Sequence, residues 1–156
     1  MDDRDTYTKF FIASATAEGY HRTAEMIRQQ IRDGFEFIIK FSGPYVINLS
    51  FACELYMKAL LLLNGISFPK GQNGHNFKEL YQRLPESDRE TIEKKFGTAP
   101  CVFHFIDTHP KIFTDYRYPY ERKDEKKAIC LKELESFADI LGAICQKRQE
   151  ESNHAD

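Results

Sequence analysis

Residues 48–65 read NLSFACELYMKALLLLNG. Stepping about 100° per residue, as a helix does, carries apolar side chains around nearly the whole circumference. A helix apolar on almost every side is a central element, packed against several neighbours at once. Ser50, Glu54 and Lys58 share one narrow sector, with Leu61 between them. That sector has two readings. It can be the one solvated edge, with Glu54 and Lys58 as an i,i+4 pair contributing a few tenths of a kcal/mol. It can instead face inward, where desolvated charges must find further partners. Periodicity alone favours the solvated edge, because buried ion pairs are rare.

The rest of the chain reads as further helices around this one. Thr6–Ala17 is a short candidate, and Tyr20–Phe41 a longer one carrying Ala24, Ile27, Ile31, Phe35, Ile38 and Ile39 at helical spacing. Ser42-Gly43-Pro44 is expected to break the chain, with Pro44 in the first turn of the next helix. Asn64-Gly65 closes that helix. After a loop over 66–74, His75–Leu84 forms a short helix ended by Pro85. Ser87 and Glu90 stand at capping-box spacing for the next one. The stretch 101–121, interrupted by Pro110 and Pro119, reads as a helix, an irregular middle and a turn. Lys123–Gln149 carries the last stripe, through Leu131, Leu134, Phe137, Leu141 and Ile144. Period-two alternation and hairpin dipeptides are scarce. The expected fold is all-α, an up-and-down helical bundle of four to five main helices plus short ones. One domain spans 1–150, and 151–156 form a polar tail.

Composition narrows the function classes. Hydrophobic residues make up 42% of 156, enough for a proper core. The net charge of -2 gives no global attraction to nucleic acid, so any RNA or nucleotide contact needs a local basic patch. Cys53, Cys101, Cys130 and Cys145 match no zinc spacing and sit among apolar residues, which predicts buried reduced thiols. No metal-ligand pattern and no serine or cysteine hydrolase motif occurs, so neither metal nor cofactor is expected. The acidic N-terminus lacks the features of a signal peptide, and the longest unbroken apolar run is Ala59–Leu63. A cytoplasmic protein without a membrane span is the expectation.

Two more stretches could join Glu54 and Lys58. DYRYPYE, 115–121, sets Arg117 and Glu121 among Tyr116, Tyr118 and Tyr120. A guanidinium flanked by phenol rings suits carboxylate pairing or stacking on a base. Gly74-His75-Asn76 begins a helix, where His75 could be ligand or cap. In order, the E-x-x-x-K-x-L-L helix, the GHNFKELYQRLP segment and the R-Y-x-Y-E turn resemble the HEPN domains (higher eukaryotes and prokaryotes nucleotide-binding). The resemblance covers about residues 45–122.

The resemblance implies a four- or five-helix bundle, commonly a homodimer. It also implies an inward polar network at Glu54 and Lys58. Many such domains are metal-independent ribonucleases with an Arg, then four to six residues, then a His, as in toxin–antitoxin and phage-defence systems. Others bind a nucleotide, RNA or a protein partner such as a minimal nucleotidyltransferase. Here no His follows Arg117 at that distance, and His104 and His109 precede it. Arg148 and His154 match literally but fall in the polar tail. A non-catalytic binding module is therefore expected, with Glu54, Lys58, His75, Arg117, Tyr118, Tyr120 and Glu121 around one cleft. If the chain is a ribonuclease, His75 and Arg117 are the catalytic candidates. A purely structural dimerisation domain is the third reading. The aromatic run Phe103, Phe105, Phe113, Tyr116 and Tyr118 reads either as a dimer contact surface or as ordinary core.

Overall fold

The structure, a computed structural model, describes residues 3–30, 35–97, 101–117 and 130–153. Among these residues it is all-helical: α1 (Asp3–Arg28), α2 (Phe35–Leu63), α3 (Phe77–Arg83), α4 (Glu86–Phe96), α5 (Val102–Thr108), α6 (Ile112–Arg117) and α7 (Leu131–Asn153), with a 3-10 turn over Gly71–His75. Three long helices make the body. Along α1 the buried side chains Phe10, Ser14, Ala17 and Ala24 fall at steps of four, three and seven residues, and the small Ser14, Ala17 and Ala24 let helices approach closely. Tyr45 of α2 and Arg28 of α1 both bond Glu135 near the start of α7. Ser14 of α1 meets Gln149 near the other end of α7. α1 thus runs antiparallel to α7, and α2 runs parallel to it.

α2 is central, as its all-round apolarity predicts. Leu49, Ala52, Cys53, Tyr56, Met57, Ala59, Leu60 and Leu61 are buried, against Leu134, Phe137, Ala138 and Leu141 of α7. By length and composition Lys40–Leu63 is apolar enough to cross a membrane. In this fold that apolar surface is the bundle core, and the helix carries an ion pair at mid-length.

Several local expectations are corrected. Residues 6–28 form one helix that runs straight through Gly19, since packing outweighs the roughly 1 kcal/mol that glycine costs a helix. Thr8, Thr16 and Thr23 bond their hydroxyls back to carbonyls one turn earlier, which satisfies them on an exposed face. Pro44 lies inside α2 rather than at its start. It is on the exposed side, where water reaches the carbonyl it leaves unbonded. Ser87 and Glu90 form no capping box, and Pro85 precedes the first turn of α4 without a side-chain cap. Cys130 is non-helical and α7 starts at Leu131, later than Lys123. α7 also continues to Asn153, so residues 151–153 belong to the helix and not to a tail. Cys53 and Cys145 are buried as expected, but Cys101 and Cys130 are exposed.

Candidate functional site

The polar sector of α2 faces inward. Glu54 is fully buried, and both its oxygens are in use. Lys58 Nζ, one turn on, donates to Oε1 at 2.7 Å. His75 Nδ1 lies 3.0 Å from Oε1 and 2.9 Å from Oε2. Lys58 reaches this carboxylate with its side chain 17% exposed, and His75 with 34%, so both partners border solvent while the acid does not. The Lys58 ammonium also stands 5.4 Å from the centre of the Phe68 ring, within cation–π range.

The segment Gly74-His75-Asn76 delivers the imidazole by three separate devices. A Cβ on Gly74 would lie 2.7 Å from the Pro69 carbonyl oxygen, so only glycine lets the turn close this tightly. Asn76 is the N-cap of α3, its side chain accepting from the N–H groups of Lys78 and Glu79. Between them, His75 is held over the middle of α2. The Phe77 N–H donates to the Pro110 carbonyl at 2.8 Å and ties the start of α3 to the turn before α6. From α6, Phe113 lies against the His75 ring at a centroid distance of 5.3 Å and stacks on Phe51 of α2 at 4.8 Å.

With Nδ1 against a carboxylate, the imidazole carries its proton there. In the neutral ring Nε2 then keeps a lone pair, and it makes no hydrogen bond among the described residues. Arg117 is exposed at the end of α6, one helical turn beyond Phe113 and on the same helix face. The described contacts therefore join Glu54, Lys58 and His75 directly, with Arg117 one turn from the ring that lies against His75. Tyr118, Tyr120 and Glu121 lie outside the described residues.

The aromatic run does not form one surface. Phe105 is core, Phe113 and Tyr116 are half-buried, and only Phe103 is exposed; Tyr118 is outside the described residues. The packing of Phe105 on Phe96 and Phe137 shows why: these rings fill the space between α4, α5 and α7.

Sequence reasoning missed two other polar sites. One is a cleft of about 550 Å³ between α1 and α7. His21 stands in its wall, 3.3 Å from Asp139 by Nε2 and 3.5 Å from the Tyr56 hydroxyl by Nδ1. A Cβ on Gly142 would meet that hydroxyl at 3.2 Å, so a glycine in mid-helix was the available signal. Burial, then the nearby Cys145 and Glu18, raise the Tyr56 phenol well above its ordinary range. The other site is Asp88 of α4, which is 2% exposed. Its Oδ1 accepts from Arg148 Nη2 at 2.9 Å, and its Oδ2 has no hydrogen-bond partner among the described residues. This bond raises the Arg148 guanidinium above its ordinary value. Arg148 is thus anchored on a helix rather than loose in a tail; His154 lies outside the described residues. No group of three or more metal-binding side chains converges among the described residues.

No family model, curated protein or solved structure matches this chain.

Proposed function

We propose that the chain is a HEPN-like, non-catalytic module that binds a phosphate-bearing ligand, a nucleotide or RNA, at the face around His75. The observation that carries this reading is the division of labour at Glu54. The buried carboxylate holds Lys58 and His75 from inside, while both remain partly exposed, and Arg117 stands one turn from the Phe113 ring. The Lys58 ammonium, fixed by Glu54, and the Arg117 guanidinium suit a phosphate. With both oxygens engaged, Glu54 is a fastener rather than a base. As part of the same proposal, the chain acts in the cytoplasm as a homodimer or beside a protein partner such as a nucleotidyltransferase, the arrangement that the resemblance implies.

The test is binding of a labelled short single-stranded RNA and of ATP, followed by anisotropy and calorimetry. Arg117→Ala should weaken binding about tenfold while leaving the unfolding midpoint within a degree or two. Unchanged binding in that variant, or none in the unmodified chain, overturns the reading. A variant that melts instead assigns Arg117 to the architecture.

One observation favours a second reading, a metal-independent ribonuclease. The Glu54 carboxylate orients His75 so that Nε2 can take a proton, as a general base on a 2′-hydroxyl must. RNA cleavage that survives removal of residues 150–156 and disappears in His75→Gln would support it. Absence of cleavage by the unmodified chain would dismiss it.

A further inference from the structure

The cleft of about 550 Å³ between α1 and α7 is lined by three carboxylates, Glu18, Glu25 and Asp139, and by one full cation, Arg22. Arg22 is committed to Glu18 through two N–H groups. Glu25 has no ion pair among the described residues. Asp139, its side chain 69% exposed, has only His21 among them. Even with His21 charged, the lining stays negative.

The neutral groups of the lining add acceptors. Gln146 donates to Glu150 at 3.1 Å and Gln149 to Ser14 at 3.0 Å, and the carbonyl oxygens of both amides take no hydrogen bond among the described residues. Tyr56 lines the cleft while only 3% exposed. Its hydroxyl stands beside two other lining residues: a Cβ on Gly142 would meet it at 3.2 Å, and His21 Nδ1 lies 3.5 Å away. That last contact is its one hydrogen bond among the described residues, at the outer limit of such a bond. A buried hydroxyl so loosely matched gains from a donor that arrives. Position along the helices sorts these groups. Glu25 and Asp139 stand toward one end, Gln146 and Gln149 toward the other, with Tyr56 and Ala143 between them. From Ser14 to Glu25 the groove follows α1 for about 16 Å. The acceptors are spread along it, and no three metal-binding side chains converge among the described residues, so a single metal ion does not fit.

We infer that this cleft binds a linear organic polyamine, with one ammonium group at Glu25 and Asp139, another toward Gln146 and Gln149, and the methylene chain over Tyr56 and Ala143. An ammonium group brings donors and positive charge, and a lining of unused acceptors takes both. The separation of the two polar ends calls for a chain between the charges, and the volume lies within the roughly 300–1,000 Å³ of small-molecule sites. An anion would meet Glu25 and Asp139 without a free cation to offset them. Tyr56 projects about 200° around α2 from Glu54. The site therefore shares no residue with the His75 face and stands or falls separately.

The experiment is calorimetric titration of the intact chain, at fixed ionic strength, with spermidine, 1,8-diaminooctane, putrescine and magnesium chloride. Putrescine carries the same charge as 1,8-diaminooctane on a chain half as long, so it cannot reach both ends of the groove. The two longer amines should bind at least about fivefold more tightly than putrescine, and magnesium more weakly still. Glu25→Gln and Asp139→Asn, both at exposed positions, should each weaken spermidine about fivefold. Ala143→Lys, also at an exposed position, lays a fixed ammonium in the groove and should weaken spermidine more than about tenfold. Glu86→Gln and Arg117→Ala, outside the cleft, should leave it unchanged. Equal binding of the two diamines, or of magnesium and spermidine, reduces the effect to diffuse attraction and overturns the inference. So does binding that survives Ala143→Lys, binding that Glu86→Gln weakens as much as Glu25→Gln does, or no binding at all. Should Asp139→Asn fail to fold, the ranking of the amines, Glu25→Gln and Ala143→Lys still decide.

Discussion

Glu54 and Asp88 are both buried carboxylates on helices, and both are met by basic side chains from distant parts of the chain. They differ in completeness. Glu54 has donors on both oxygens, from its own helix and from the 3-10 turn. Among the described residues, Asp88 has a donor on one oxygen only. A buried acid with every lone pair engaged fixes the register of the elements that meet on it. A buried acid half engaged keeps capacity in reserve, and the fold bears the cost of that reserve. The first is architecture with a functional rim, and the second is an ion pair between α4 and α7 with one acceptor unmatched among the described residues.

The strongest way to break this contrast is to strip Glu54 of its donors. Lys58→Ala with His75→Ala leaves a fully buried charge with no partner and should cost about 3–5 kcal/mol in urea unfolding. The reverse change, Glu54→Ala, should cost less, because Lys58 and His75 border water and can rehydrate. If the double variant costs under about 1 kcal/mol, the acid has access to solvent and the contrast fails.

Next comes the turn that carries the imidazole. Gly74→Ala puts a methyl group against a backbone carbonyl, and the overpacking should cost about 1–3 kcal/mol. A thermal melt unchanged from the unmodified chain would mean that the 3-10 turn does not hold His75 in place. Neutralising each acid in turn sharpens the comparison further. Glu54→Gln should destabilise by more than about 1.5 kcal/mol, since two charge-assisted bonds weaken, and Asp88→Asn by less than about 1 kcal/mol. The opposite ranking would exchange the roles assigned to the two acids.

The gentlest probe is chemical. Cys53 adjoins Glu54, and Cys145 lies one turn before Arg148, so each thiol reports opening near one of the acids. With Cys101 and Cys130 replaced by serine, labelling at neutral pH should be slow at both, and faster at Cys145. Burial pushes the Cys145 thiol up to about 12, against a small opposite pull from its hydrogen bond with Ser14. A thiol whose folded value lies above its unfolded value favours folding while it stays protonated. Its contribution is complete below pH 9.0 and fades as the pH rises toward about 12. The raised Tyr45, Tyr56 and Tyr81 phenols act in the same direction. The unfolding midpoint should therefore fall through that alkaline window, and a flat profile would contradict the burial of these groups.

Much of the body was legible in the residues. All-round apolarity placed α2 at the centre, and Asn64-Gly65 and Pro85 ended helices where expected. The Glu54–Lys58 pair was readable because its partners are one turn apart, and its inward direction came from the resemblance rather than from periodicity. Asp88 and Arg148 were not readable, because they meet across 60 residues of chain. Local rules pointed elsewhere: Ser87 and Glu90 offered a capping box, and the end of an apolar stripe suggested that Arg148 was loose. Instead α4 begins at Glu86, which puts Ser87 inside the helix, and Arg148 is held by Asp88 across the bundle. Pro44 misled for a similar reason, since a break signal is a local penalty of a few kcal/mol and the packing of α2 exceeds it.

That proline leaves a lasting mark on α2. Its ring supplies no amide proton, so one rung of the helical ladder is absent between the turn at Lys40 and the turn at Pro44. Among the described residues, the core leucines of α2 and the Glu54 bonds lie on the far side of that gap. The first two turns can therefore unzip as a small cooperative unit while the remainder holds. In deuterium exchange the amides over 35–43 should trade their protons well before those over 49–61.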